Sequence, residues 1–232
     1  MRIKFLTVIG ELLVMAGLFV GGFLVWHLNE ENSIGQEQAV GAQELQAYWE
    51  ADPQGGFQPD DGWQHPELGR GFAVLRIPKF GEDYQKIIAE GIGFGVLNDR
   101  KLGIGHYPGT GMPGELGNFA LAGHRLGNGG PLMHVDQLAP GDEIWVTSGQ
   151  VTWGYQVTEL QIVKPHQVEV LDAVPGKRQL TMTTCHPMYQ WHERLIVNAE
   201  LAWIKEGDRI TPANELDGQT SFDVQRDSEK TP

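Results

Sequence analysis

Cys185 is the single cysteine among 232 residues. It ends an alternating run, LTMTTC, and is followed at once by His186 and Pro187. Proline cannot continue a strand ladder, so the thiol is expected at a strand's rim, where a side chain can face a cleft. Thiol chemistry needs a proton carrier, a means of stabilising the thiolate and donors for an oxyanion. His124 also ends a β-like run, FALAGH, and Cys185 follows it 61 residues later. Arg194 opens the next apolar run, nine residues after the cysteine. A His, a Cys and an Arg therefore each stand where a strand meets a loop. Each also has a plain structural reading: an inert buried thiol, a satisfied strand-end histidine, a surface arginine paired with Glu193.

The elements that must position them read as β-structure. FAVLRIP (Phe72–Pro78), YQKIIAEG (Tyr84–Gly91), GNFALAGH (Gly117–His124), DEIWVTS (Asp142–Ser148), TWGYQVTELQIV (Thr152–Val163), QLTMTTC (Gln179–Cys185) and RLIVNAELAWI (Arg194–Ile204) are short runs rich in β formers. Gly- and Pro-bearing turns separate them. Many short strands without regular helix alternation imply an all-β sandwich or barrel. Val96–Lys101, Pro131–Gln137 and Val168–Ala173 are expected as short helices. No fixed-period repeat is present.

Phe5 to Trp26 form an apolar run of 22 residues with one charge, Glu11. As a helix it spans roughly 33 Å, enough to cross a bilayer. Arg2 and Lys4 precede it and Glu30 and Glu31 follow, which predicts a cytoplasmic N-terminus. The run is long for a cleaved leader and has no small-x-small site just beyond it. Gly17 and Gly21 make a weak GxxxG helix-pairing signal. Residues 29–69 hold nine carboxylates and no Lys or Arg, so much of the formal charge of −13 lies there. Gln36–Ala51 has some helical character, and breakers such as Pro53, Pro59 and Gly62 follow. The expected division is a tip and membrane anchor over 1–28, an acidic solvated stalk over 29–69, a β-barrel over 70–204 and a frayed polar tail over 205–232.

Composition also excludes. An acidic chain lacks the basic footprint that nucleic acids require. One cysteine rules out an intrachain disulfide and multi-cysteine metal centres. A Cys185/His186/His192 metal site lacks a fourth ligand, and Gly91, Gly93 and Gly95 lack the helix a nucleotide loop needs. No metal and no cofactor is expected.

TMTTCHP (Thr181–Pro187), AGHR (Ala122–Arg125), ERLIV (Glu193–Val197), GHYPGTGMPGELGNFALAGHR (Gly105–Arg125) and LAPGDEIWV (Leu138–Val146) occur in order along the chain. Together they resemble the sortases, and among these the class E enzymes of Gram-positive actinobacteria. Met182 stands where the TLxTC signature has Leu, a conservative change in volume and polarity. The resemblance covers roughly Phe72 to Ile204. It implies a closed barrel of about eight strands behind one transmembrane helix. It implies a cysteine transpeptidase at the outer face of the membrane that cleaves an LAxTG- or LPxTG-type sorting signal between Thr and Gly. Cys185 would be the nucleophile, His124 the general acid and base, and Arg194 the oxyanion or substrate donor. Implied partners are surface proteins bearing that C-terminal signal and a lipid-linked peptidoglycan precursor as amine acceptor, in wall anchoring rather than pilin assembly. Thr183, Thr184, Tyr107 and His186 are the candidate substrate contacts around this site.

Other readings stay open from the residues alone. A tethered cysteine protease would only hydrolyse, although papain-like chains run Cys before His. An L,D-transpeptidase would carry an SHGC-type run, which is absent. A non-catalytic tethered barrel would keep Cys185 inert.

Overall fold

The computed structural model describes residues 2–52, Gly56 and 65–216, with side chains from residue 7 onward. Proline and glycine breakers expected between Pro53 and Gly62, and the tail beyond Leu216, fall largely outside the described residues.

Among the described residues nine strands make one sheet. They are β1 (Gly71–Arg76), β2 (Gln85–Glu90), β3 (Gly103–His106), β4 (Gly117–Gly123), β5 (Glu143–Ser148), β6 (Val151–Val163), β7 (Arg178–His186), β8 (Glu193–Glu206) and β9 (Arg209–Pro212). The spatial order is β6-β5-β1-β2-β3-β4-β7-β8-β9, and a further β6–β8 pairing closes eight of them into a barrel. β9 continues the sheet along the far half of β8, beyond the end of β7. All seven expected strands are present. β3 and β9 were not expected as strands: β3 reads GIGH, too short and glycine-rich to show a period, and β9 lies in the segment expected to be a frayed tail. The expected helices shrink to one α-helical turn at Phe94–Leu97 and 3-10 turns at Val135–Gln137 and Val168–Leu171.

Burial follows position. β5 alternates between faces, as a strand with one wet side should. β2 and β4 are buried at every residue because each is covered outside the barrel as well. Over β4 lies the β6–β7 connection, whose Val170 and Asp172 carbonyls accept from Asn118 Nδ2 at 3.2 and 3.3 Å. Over β2 lies a helix. Inside, Leu75, Ile88, Ile104, Phe119, Leu121, Ile144, Trp153 and Leu180 form the core, each at most 1% exposed. Gly154 is required by close packing. The Trp203 indole packs against it, and a Cβ there would sit 2.0 Å from Trp203 Cε2.

The helix is α1, a continuous run from Arg2 to Ala51. Its N-terminal part is the one described helix long and apolar enough to cross a membrane. Its C-terminal part corrects the expected solvated stalk. Ile34, Gln38, Ala42 and Trp49 recur at helical spacing and are buried against the barrel. Ala42 and Trp49 pack with Val74 and Ile87, flanked by Leu45 and Leu102. The acidic residues of this stretch occupy the remaining faces, where Glu30 and Glu37 meet Arg100 at 2.6 and 2.7 Å.

Trp153 fills the barrel and is fully buried. Replacing it with alanine leaves a large cavity and costs about 3–5 kcal/mol. For a domain of this size that lowers the melting temperature by roughly 6–20 °C, which a thermal melt of Trp153→Ala measures.

Candidate active site

β4 and β7 are parallel, so their C-terminal ends reach the same rim. Ala122 pairs with Thr183, an offset of 61 residues that also separates His124 from Cys185. His124 directly follows β4 and Cys185 lies near the end of β7, so both stand at the rim where these adjacent strands end. The Thr184 hydroxyl donates to the Gly123 carbonyl at 2.8 Å and staples the two strands just below. β8 is antiparallel to β7 and starts at the same rim, where Arg194 is the direct cross-strand partner of Cys185. Directly opposite residues hold their Cβ atoms about 5 Å apart. The three expected residues thus converge on one rim. All three are half-buried, whereas Leu180 to Thr184 below the cysteine are buried.

His124 has a defined setting. Its Nε2 lies 2.8 Å from Asn98 Oδ1. Burial holds its imidazole below the ordinary histidine range, and the Glu31 carboxylate partly offsets this. Arg194 Nη1 donates to the Trp191 and Glu193 carbonyls, each at 2.9 Å, which anchors the arginine to the β7–β8 turn. Tyr189 and Trp191 of that turn are strongly exposed.

The expected substrate contacts divide into two kinds. Tyr107 reaches across β4, and its hydroxyl bonds Thr183 Oγ1 at 2.9 Å. Both therefore border the rim two residues from the thiol. The Thr184 hydroxyl is committed to Gly123, and His186 Nδ1 accepts from Arg125 Nη1 at 3.0 Å. These two side chains brace the site. Two residues at the site were not singled out by sequence reasoning. Arg125 is 3% exposed, pairs with Asp136 at 2.7 Å and ties the segment after His124 to the end of β7. Its position directly after the histidine was the available signal. Asn98 lies 26 residues before its partner and carried none.

Beneath Tyr107, His106 is fully buried. Thr110 Oγ1 donates to the Tyr107 carbonyl, so at 3.0 Å it accepts from His106 Nε2, as does the Gly111 carbonyl. A second proton lies between His106 Nδ1 and Glu90 Oε2, 2.6 Å apart. His65, Glu90 and His106 are the grouping among the described residues whose donor atoms could surround an ion. Both His106 nitrogens are engaged in hydrogen bonds within the protein.

Residues 75–202 match the family model of the sortase domain. Sortase SrtE1 of Streptomyces coelicolor is 35% identical over 205 residues, which is 82% of this chain and 55% of that protein. Sortase SrtE2 of the same organism is 33% identical over 225 residues, 90% of this chain and 87% of that protein. The chain thus spans about half the length of the first relative and most of the second. Among solved structures, sortase E from Streptomyces avermitilis is 36% identical with a TM-score of 0.53, covering 68% of this chain and 98% of that one. The SrtA sortase from Actinomyces oris is also 36% identical, with a TM-score of 0.57, covering 62% and 86%. With the sortase domain model matching residues 75–202 and SrtE2 similar over 90% of this chain, the chain belongs to the sortase family.

Proposed function

We propose that this chain is a membrane-anchored cysteine transpeptidase that transfers proteins bearing an LAxTG- or LPxTG-type signal to a cell-wall precursor amine. The observation that carries the reading is the register that sets Arg194 opposite Cys185, with His124 directly after the end of the other flanking strand, β4. Each group then has a role. The Cys185 thiol gives its proton to the His124 imidazole, and the thiolate attacks the Thr carbonyl carbon, forming a C–S bond. The carbonyl oxygen takes the developing charge, and the Arg194 guanidinium donates to it. As the tetrahedral centre collapses, the C–N bond breaks and His124 protonates the departing glycine amine. The incoming amine attacks the thioester, gives its proton back to His124 and expels the thiolate. No net redox change occurs and no metal step is needed.

The resemblance to class E enzymes implies the LAxTG-type signal, and in this reading Tyr107 with Thr183 flanks the position of its Thr. The lipid-linked peptidoglycan precursor is the acceptor that suits an enzyme tethered at the membrane. We place the N-terminus in the cytoplasm and the barrel outside, because Arg2 and Lys4 precede the apolar run and carboxylates follow it. The division into anchor, acidic segment, barrel and tail follows from that placement, with the acidic segment docked on the barrel as far as Trp49.

The test uses the full chain in detergent micelles with LAxTG and LPxTG peptides and an amine nucleophile. Intact-mass spectrometry is expected to find an acyl adduct on Cys185, and the amide product to accumulate. Cys185→Ala loses both. Hydrolysis without amide product at saturating amine would favour the protease reading, and no adduct at all would sink both.

Burial holds His124 low, so the ionisation it contributes to the kcat/KM–pH profile lies below about pH 6.5. His124→Ala is expected to lose that limb and about 10²–10⁴-fold in rate while keeping its circular dichroism spectrum. A limb that survives in His124→Ala belongs to another group.

A further inference from the structure

The segment of α1 beyond the apolar run touches the loop that follows His124. Gly35 of the helix and Gly129 of the loop meet backbone to backbone: a Cβ on Gly129, whose φ is 76°, would lie 2.9 Å from the Gly35 nitrogen. Glu31 accepts the Gly129 N–H at 2.9 Å. Gln38, fully buried, uses both ends of its amide. Its Nε2 donates to the Asn128 carbonyl at 3.0 Å, and its Oε1 accepts from Lys86 Nζ at 2.9 Å. Lys86 also donates to the Gly35 carbonyl at 3.3 Å, and burial pushes its ammonium down to about 8. A buried lysine with its acceptors on one helix is costly unless that helix stays docked.

From Asn128 the chain of bonds continues to His124. Asn128 stands in the left-handed region, φ 51°, and its Nδ2 donates to Asn98 Oδ1 at 3.2 Å. The same oxygen lies 2.8 Å from His124 Nε2. An amide oxygen can only accept, so His124 carries its proton on Nε2 and keeps the Nδ1 lone pair for proton exchange. The segment bearing Asn98 is itself tied to the helix through Arg100, which bridges Glu30 and Glu37.

We propose that the Glu31–Gln38 stretch of α1 is a positioning element for His124, acting through Asn128 and Asn98 to fix the tautomer and seat of its imidazole. The inference rests on the role of His124 in proton transfer proposed above. It makes proton transfer at the rim depend on how the helix leaves the membrane. None of these helix residues touches the reacting atoms. They act by holding the loop at the distance where Asn98 engages the ring. Glu31 adds a second influence, since its carboxylate raises the histidine against the effect of burial.

The test labels the full chain with 15N-histidine in detergent micelles and reads the His124 tautomer by long-range proton–nitrogen correlation at neutral pH. A His124→Gln sample assigns the signal. Wild type is expected to hold a single Nε2–H tautomer. Gln38→Ala and, at the helix surface, Glu31→Ala are expected to give a mixture of tautomers. Their kcat should fall on the order of 10- to 100-fold with KM within about twofold, the pattern of a displaced proton carrier. Two variants are used because Gln38→Ala also strands Lys86, and circular dichroism checks that each is folded. A His124 signal that stays on Nε2 in both folded variants overturns the proposal, as does a mixed tautomer in wild type. If His124→Ala retains turnover, the assigned function fails instead, and the tautomer data still decide the coupling to the helix.

Discussion

β4 and β7 run side by side in parallel, and a parallel pair cannot be closed by a tight turn. The chain must leave the end of β4, cross the molecule and re-enter at the start of β7. It uses the crossover to build β5 and β6, and the pairing of β6 with β8 then shuts the barrel. The same topology sends the ends of β4 and β7 to one rim and starts β8 there. His124, Cys185 and Arg194 come together because of that pairing and its register, although 70 positions separate the first from the last. A one-residue slip would turn Cys185 to the opposite face and separate it from both partners. The Thr184–Gly123 bond and the Arg125 contacts to Asp136 and His186 guard against it.

Around that constraint the site is graded in polarity. Below it lies the dry barrel core, at its level stand three half-buried polar side chains, and above it are exposed Tyr189 and Trp191. Partial burial disfavours the charged imidazole while leaving the thiol within reach of a peptide. Residues 29–69 hold nine carboxylates. Several are used structurally, by Arg100 and by the Gly129 amide. The acidity of the chain is therefore partly an attachment between helix and barrel rather than a field around the nucleophile.

Much of this could be read in the residues. The seven strands carried clear β patterns, and the offset between His124 and Cys185 proved to equal the strand register. The docked half of α1 was harder to see. Its buried stripe is Ile34, Gln38, Ala42 and Trp49, in which a polar and a small residue dilute the apolar signal. Glu30, Glu31, Glu37 and Glu44 made the segment look solvated, yet Arg100, the Gly129 amide and Lys101 take them up across sequence distances that no local pattern encodes. β3 was hidden for another reason. Four residues, two of them glycine, show no alternation, and its place is set by neighbours on both sides. Asn98 is a loop asparagine until the fold brings it to the histidine.

We propose that one rim presents Cys185 as the nucleophile, with the Arg194 cation and the His124 imidazole on its two flanks. A peptidyl electrophile ending in a Thr-derived ketone would arrest the acylation geometry, and the crystal structure of that adduct tests the claim most directly. The expected adduct has a covalent bond to Cys185 Sγ, the former carbonyl oxygen within hydrogen-bond distance of the Arg194 guanidinium, and His124 Nδ1 facing the leaving-group side. A label on another residue, or an oxygen turned away from Arg194 with His124 out of reach, would contradict it.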